Sequence, residues 1–459
     1  MKTPLTRRRF LGKAALGGAG LLFLPSLQSV RGAPANDKMN LALIGVGGRG
    51  KWFVDTMPGM SHVVAMCDVN EERAGNAFSK IPAAKKFHDF RRMLESMDKE
   101  IEGVIIATPD NTHAVAASLA MKMGKHVYCE KPLTRTIHEA RHLRQLAREH
   151  PAVATQMGNQ GTASEAFRRA VDWIQAGAIG EVREVHAWND SGGAGPRPVP
   201  TTSQEIPDPL HWDLWLGPAQ ARPYHSEWMK WHTWRDFATG QLGNWGVHTM
   251  NLAFKALKLD SLWTSETKEG SQVKIKARVG PRQDSTFPRW EIIDYTCPSR
   301  GELPPVEIHW HNGRSGPEAR QHLESLLGRP LDWGDAGERK WQDHAGLILV
   351  GTKGKLHANG HNTVVTLLPQ ADFKDYQDPA RSLPRSPGHE MEWLHACAGG
   401  PPALSHIEYG APLTEFVLLG NVATQFDEEL TYDPTSAAIL NHDRAQAALH
   451  RDYRKGWQL

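Results

Sequence analysis

The sequence is short of cysteine, of long apolar runs and of net charge, and each shortage excludes something. Four cysteines in 459 residues (Cys67, Cys129, Cys297, Cys397), none in C-x-x-C spacing, rule out a disulfide framework and a zinc knuckle. The 23 histidines come with no cysteine-rich zinc spacing either. His309 and His311 share one face of a strand, but two histidines alone read as solvated strand residues, and no metal is expected. The apolar run from Ala14 to Leu27 is too short to span a bilayer. Basic and acidic residues nearly cancel, at 53 against 51. Residues 1–35 hold six of the basic ones and no acidic one, so the remainder is mildly acidic and does not advertise nucleic-acid binding. A content of 40% hydrophobic and 23% charged residues excludes disorder and leaves room for two cores.

What is present begins with an address. Arg7-Arg8-Arg9 precedes the Ala14–Leu27 run, and Ala33-Pro34-Ala35 follows as an A-x-A-like cleavage site. The order basic, apolar, small resembles a twin-arginine (Tat) signal over residues 1–35. It predicts passage through the Tat machinery and a periplasmic or other extracytoplasmic location. The other reading is a frayed basic terminus or an interfacial helix.

From Met39 the pattern is that of a buried strand running into Gly45-Val46-Gly47-Gly48-Arg49-Gly50 and then a helix from Lys51. This is G-x-G-x-x-G in its required context: Gly45 for the tight turn, Gly47 for backbone approach to a pyrophosphate, and Gly50 for close packing of helix on strand. The next strand, from His62 to Cys67, ends in Asp68, where a carboxylate accepts hydrogen bonds from a ribose and repels a 2′-phosphate; NAD is therefore expected over NADP. The lesser alternative for Asp68 is a strand-end turn residue or helix cap. Alternation continues with a strand from Gly103, the loop Thr108-Pro109-Asp110-Asn111-Thr112-His113, a helix, a strand from His126 to Cys129, and Glu130-Lys131-Pro132. Alternating buried strands and helices predict a doubly wound parallel sheet with ligands beyond the strand C-termini. Thr108, Pro109, Asn111 and His113 then line the cofactor cleft, with His113 alternatively capping its helix.

These segments, above all GKHVYCEKPLT, resemble the Gfo/Idh/MocA oxidoreductases, named for glucose-fructose oxidoreductase and inositol dehydrogenase. The resemblance is strong to about residue 190 and looser beyond. It implies that Glu130 and Lys131 stand at the cofactor and that Lys131 touches the reacting hydroxyl. A cation there stabilises alkoxide character, and a desolvated lysine can take the proton. Otherwise Lys131 is a solvated surface residue.

Beyond residue 155 long helical crossovers disappear. GEVREVHAWND, VEIHWHNG and AGLILVGTKGKLHA read as strands and a hairpin, predicting an open, mainly antiparallel sheet. The expected layout is an α/β chain: a Rossmann domain at 36–155, an α+β substrate and dimerisation domain at 156–387, and C-terminal helices at 388–459 returning to the first half. Of 16 tryptophans only Trp52 precedes residue 160, whereas Trp212, Trp215, Trp228, Trp231, Trp234 and Trp245 crowd one stretch that also carries Tyr224, His232 and Arg235. Indoles stack on pyranose C–H faces while polar groups read hydroxyls. Trp212, Trp234, Tyr224 and Arg235 are accordingly expected at a sugar; taken singly, each of these indoles can instead belong to a core or interface.

In Gly240–Asn251, Asn244 and His248 are i,i+4 and on a helix share a face, so both can point at the reacting hydroxyl as catalytic and substrate-binding residues beside Lys131; otherwise His248 satisfies a buried polar group. Many members of the resembling family carry Asp and His at this spacing. Here Asn244 replaces the acid and cannot hold an imidazolium by charge, which leaves His248 less basic. The expectation is an exported, homo-oligomeric NAD-dependent oxidoreductase that moves hydride between a sugar or glycoside and a tightly held NAD, in a cycle that can be redox-neutral. An NAD-dependent glycoside hydrolase acting by oxidation and elimination, and a noncatalytic sugar-binding protein, are the alternatives.

Overall fold

The computed structural model describes residues 38–264, 270–313, 317–332 and 341–459. The expected signal, residues 1–35, lies outside them. No helix among the described residues is long and apolar enough to cross a membrane.

The first half builds a parallel sheet from β1 (Asn40–Ile44), β2 (His62–Cys67), β3 (Lys85–Phe87), β4 (Gly103–Ile106), β5 (His126–Cys129) and β6 (Thr155–Met157), in the order β3-β2-β1-β4-β5-β6. This is the doubly wound order whose reversal between β1 and β4 opens a crevice at the strand C-termini. Side chains alternate across each strand. Leu41 and Leu43 therefore pack with Phe53, Val54 and Met57 of α1 (Lys51–Met60) and with Ala74, Ala77 and Phe78 of α2 (Glu71–Lys80). Ala42 and Ile44 face the other way, toward α3 (Phe90–Ser96), α4 (His113–Lys122) and α5 (Ile137–Glu149). A capping box fixes where α5 begins: the Thr136 hydroxyl accepts from Glu139 N–H, and the Glu139 carboxylate accepts from the N–H groups of Arg135 and Thr136. That cap anchors the far end of the Glu130-Lys131-Pro132 loop.

After α6 (Glu165–Gln175), capped by Ser164, the chain forms a nine-stranded sheet. Its strands are β7 (Val182–Asn189), β8 (Val273–Val279), β9 (Glu291–Cys297), β10 (Val306–Asn312), β11 (Ala345–Gly351), β12 (Lys355–Asn359), β13 (Val365–Leu368), β14 (Leu430–Asp433) and β15 (Ala438–Ile439), in the order β13-β12-β11-β7-β10-β9-β8-β14-β15. Only β7 and β10 pair in parallel; the other neighbours are antiparallel. The segment after residue 388, expected to be helical, also contributes β14 and β15 to the sheet edge. Its main helix, Ile407–Ala423, is apolar all round and buried except at Glu408, and it packs against α5 and β8.

Candidate active site

A cleft of about 450 Å³ opens at the carboxyl ends of β1, β2, β4 and β5. Its size is that of a small-molecule site. The glycine loop forms one wall. Gly45 adopts φ +83°, and a Cβ there would stand 2.7 Å from the Ala107 carbonyl oxygen. Gly50 does not line the cleft; a Cβ on it would lie 1.8 Å from the Gly45 oxygen, so its glycine lets the start of α1 pack against the loop. Gly48, by contrast, has open space around the Cβ position. Asp68 enters from the end of β2, where its Oδ2 accepts from Val46 N–H at 2.9 Å and Gly47 N–H at 2.8 Å while Oδ1 caps Asn70 N–H at 3.0 Å. Its second reading, as a turn residue, is thus true alongside its place in the cleft.

Gly45, Gly47, Gly48, Arg49, Asp68, Thr108, Pro109, His113, Glu130, Lys131 and Asn244 all line this space. Asn111 does not: it is buried, and its amide donates to the Leu216 carbonyl at 3.0 Å. The short 3-10 turn at Asp110–Thr112 sends Asn111 into the protein and leaves its neighbour Asp110, passed over in the sequence reading, at the cleft. The Asp110 Oδ2 accepts from the Thr239 hydroxyl at 2.7 Å.

His113 is a clamp. One ring nitrogen faces the Pro132 carbonyl at 2.8 Å and the other the Thr108 carbonyl at 3.0 Å, so both are placed to donate. Burial opposes the charge, but Cys129, Asp110 and the Pro132 carbonyl outweigh it, and the pKa is pushed up to about 10. The imidazolium ties the loop after β4 to the loop after β5 and so fixes Lys131.

Lys131 points its Nζ at Asn244, donating to the backbone oxygen at 2.8 Å and also to the side-chain oxygen. Burial lowers its pKa below the ordinary lysine value, although Glu130 and Asp110 oppose the shift. Glu130 is 4% exposed and accepts from Arg49 and Gln160, each at 3.0 Å. Asn244 sits in a π-helical turn, Leu242–Gly246, followed by a short α-helical turn, Val247–Thr249, so this stretch is not the regular helix that the i,i+4 spacing assumes. His248 does not line the cleft. It is buried, 4.7 Å from the His361 ring, with Nδ1 unpartnered, and burial together with Lys131, His361 and Arg49 holds its pKa well below the usual value.

The four substrate residues expected from the tryptophan-rich stretch are corrected. Trp212 stacks on Trp215 and donates to the Arg222 carbonyl; Tyr224 meets Trp212 edge-on; Trp234 is 1% exposed and donates to the Glu227 carbonyl. Arg235 is buried against the Thr286 carbonyl and the Thr424 hydroxyl. The polar groups of Trp212, Trp234 and Arg235 are spent on protein, and none of the four lines the cleft. The lining instead comes from Trp215, Met229, Trp231 and His232, the last stacked on Trp231 at 3.5 Å. Composition pointed to the stretch, but which indole turns inward is set by tertiary packing.

The comparisons with known proteins agree with this geometry. Residues 39–158 match the oxidoreductase family's NAD-binding Rossmann fold, and residues 197–297 match its C-terminal alpha/beta domain. Over these two stretches the chain is similar to the Gfo/Idh/MocA oxidoreductase family. The inositol 2-dehydrogenase of Salmonella typhimurium is 28% identical over 187 residues, 38% of this chain and 54% of that protein, so the chain spans about half the length of such curated relatives. A glycosyl hydrolase family 109 protein of Stenotrophomonas maltophilia is 34% identical over 139 residues, 28% of this chain and 29% of that one. Among solved structures, levoglucosan dehydrogenase in complex with NADH and L-sorbose superposes with a TM-score of 0.53 at 17% identity, covering 87% of this chain and 100% of that one, a likeness of fold. In this chain the residues fit a dinucleotide: the glycine loop meets the start of α1, Gly48 is open, and the Asp68 carboxylate stands at the end of β2.

Proposed function

We propose that the protein is an NAD-dependent oxidoreductase that oxidises a secondary hydroxyl of a pyranose-class sugar or glycoside and can return the hydride to the same molecule. The observation that carries this reading is the half-buried Lys131 amine, held by Asn244 at the cleft beside the glycine loop. NAD, when bound along Gly45–Gly50, supplies the hydride acceptor. Lys131 takes the hydroxyl proton as the C–H bond breaks, and burial lowers its pKa, which favours the neutral amine relative to an ordinary lysine. Asn244 fixes the amine without adding charge. Trp215 and Trp231 give the sugar ring apolar faces, while Asp110 and His232 offer polar groups to its hydroxyls. His248, neutral and buried, does not reach the cleft and supports this end of it by packing against His361.

A redox-neutral cycle, and with it net glycoside cleavage, is favoured by two observations: the likeness to a family 109 glycosyl hydrolase protein, and the neutral Asn244 beside Lys131. A twin-arginine leader carries the folded protein outward, where free NAD is scarce, so a tightly held cofactor regenerated in place suits such a location. The test is absorbance at 340 nm, the band of reduced nicotinamide, on the purified protein supplied with NAD and a panel of glycosides. A transient band with aglycone release supports the cycle, and a lasting band supports net oxidation. Saturable sugar binding with no band for any sugar would instead mark a noncatalytic binding protein and defeat the proposal.

A further inference from the structure

The nine-stranded sheet has two faces. Val185, Ala187, Ile308 and Trp310 point to the face that joins the main core, and Trp188, Ile348 and Leu323 pack on the other, beneath the helix Pro317–Leu327. His186 belongs with Trp188 on this second face, because residues two apart along a strand share a side. The parallel register sets Glu184 against Glu307, His186 against His309 and Trp188 against His311, so residues more than a hundred positions apart in sequence meet here. His322 reaches the same spot from the helix.

The nitrogens and oxygens converge. His186 Nε2 is 2.8 Å from Glu184 Oε1 and 3.4 Å from His322 Nε2. Ligand atoms of Glu184, His186 and His309 all lie within 4.8 Å of one another. Two nitrogens sharing a tetrahedral zinc at about 2.0–2.1 Å stand roughly 3.3 Å apart, close to the spacing between His186 and His322. His309 turns Nδ1 to Asp294 Oδ1 at 2.6 Å, the carboxylate-to-histidine arrangement that orients a metal-ligating imidazole and leaves Nε2 as ligand. His186 Nδ1 faces His311 Nε2 at 3.3 Å, which directs its Nε2 toward Glu184 and His322. We propose that Glu184, His186 and His309 bind one divalent transition-metal ion of the zinc class, with His322 closing the fourth position and so tying the helix Pro317–Leu327 to the sheet. Imidazole-rich sets with one carboxylate favour zinc and its neighbours over magnesium or calcium. This site shares no residue with the cleft lining and stands independently of the proposed reaction.

The test is zinc titration of the metal-stripped full chain against a chromophoric chelator, repeated for His186→Ala, His309→Ala, Glu184→Gln and, as a control elsewhere, His395→Ala. The wild type and the His395 variant are expected to take up one tight equivalent, and the three cluster variants to hold it at least 100-fold more weakly. Zinc is also expected to slow amide exchange in 317–327, and His322→Ala to abolish that slowing. Circular dichroism identifies any variant that fails to fold; Glu184→Gln and His309→Ala, at the partly exposed positions, then decide. No tight equivalent in the wild type, or an equal one in folded Glu184→Gln and His309→Ala, would overturn the proposal.

Discussion

The Lys131 side chain reaches from the end of β5 to donate to both oxygens of Asn244, a residue 113 positions later, and this contact joins the two halves of the cleft. Because the partner is neutral, desolvation is left to dominate the amine, and its pKa falls below 10.5. Lys131→Ala is expected to lower single-turnover reduction of NAD by at least about 100-fold, the low end for losing an acid–base group, with NAD affinity retained. Asn244→Asp places a carboxylate on the amine, favours the ammonium, and should move the rising limb of the pH–rate profile to higher pH. An unmoved limb would remove Lys131 from the role of base.

Asp68 offers its carboxylate at the end of β2 while already holding the N–H groups of Val46 and Gly47. A charged hydrogen bond contributes about 1.5–3 kcal/mol, so Asp68→Ser should weaken NADH binding by roughly 10-fold to 100-fold. NADPH binding should be unchanged or improved, since repulsion of a 2′-phosphate is relieved. Fluorescence titration with both dinucleotides measures the ratio; equal losses for the two would mean that Asp68 acts only by shaping the loop.

Two glycines of the same loop are not equivalent in effect. A Cβ on Gly50 would lie 1.8 Å from the Gly45 oxygen, whereas one on Gly48 finds its nearest neighbour, an Arg73 guanidinium nitrogen, at 3.9 Å. Gly50→Ala must push α1 away from the loop and is expected to cost at least about 1–3 kcal/mol, as overpacking does. Gly48→Ala should leave the thermal midpoint within error of wild type. Calorimetry of the two variants checks the contrast.

The site was legible wherever chemistry is local in sequence. The glycine loop, the acidic end of β2 and Glu130-Lys131 each sit beside the strand that positions them, so a strand-end reading finds them. Asp110 was missed for Asn111 because a single 3-10 turn decides which of two adjacent polar residues faces the cleft. Trp212 and Trp215 lie on one short helix, and only packing on Tyr224 and Phe237 distinguishes them. The meeting of His186 with His309 needs the parallel pairing of β7 with β10, the sole parallel pair in its sheet, and no local pattern in either strand announces it. β14 and β15 were hidden for the same reason: short edge strands gain their structure from the neighbour they join.

Trp231 and Trp234 separate a binding role from a packing role. Trp231 lines the cleft and Trp234 is closed off behind it, 4.6 Å from Trp228 with its N–H on Glu227. Trp231→Ala is expected to raise KM for the sugar about tenfold, the loss of a stacking face, with stability near wild type. Trp234→Ala should cost about 3–5 kcal/mol, as for large aromatic deletions in cores. The reverse pattern in KM and thermal midpoint would return the sugar wall to the residues that composition alone favours.

His389 couples the fold to pH. Its Nε2 faces the Met157 carbonyl at 3.0 Å and its ring meets Tyr128 edge-on, and burial, with Arg49 and Arg168 nearby, pushes its pKa down to about 3. The unfolded chain, with histidine near 6.5, therefore binds a proton that the folded chain refuses between these values. Stability from this group is complete above 6.5 and is lost as pH falls toward 3, at about 1.4 kcal/mol per unit. His248 shifts in the same direction and adds to the slope. His389→Gln is expected to lower stability at pH 7.5 yet flatten its decline between pH 6.5 and 5, because glutamine has no proton to gain in either state. Urea unfolding across that range measures the slope, and a variant whose slope equals the wild type's would show that acid lability arises from other groups.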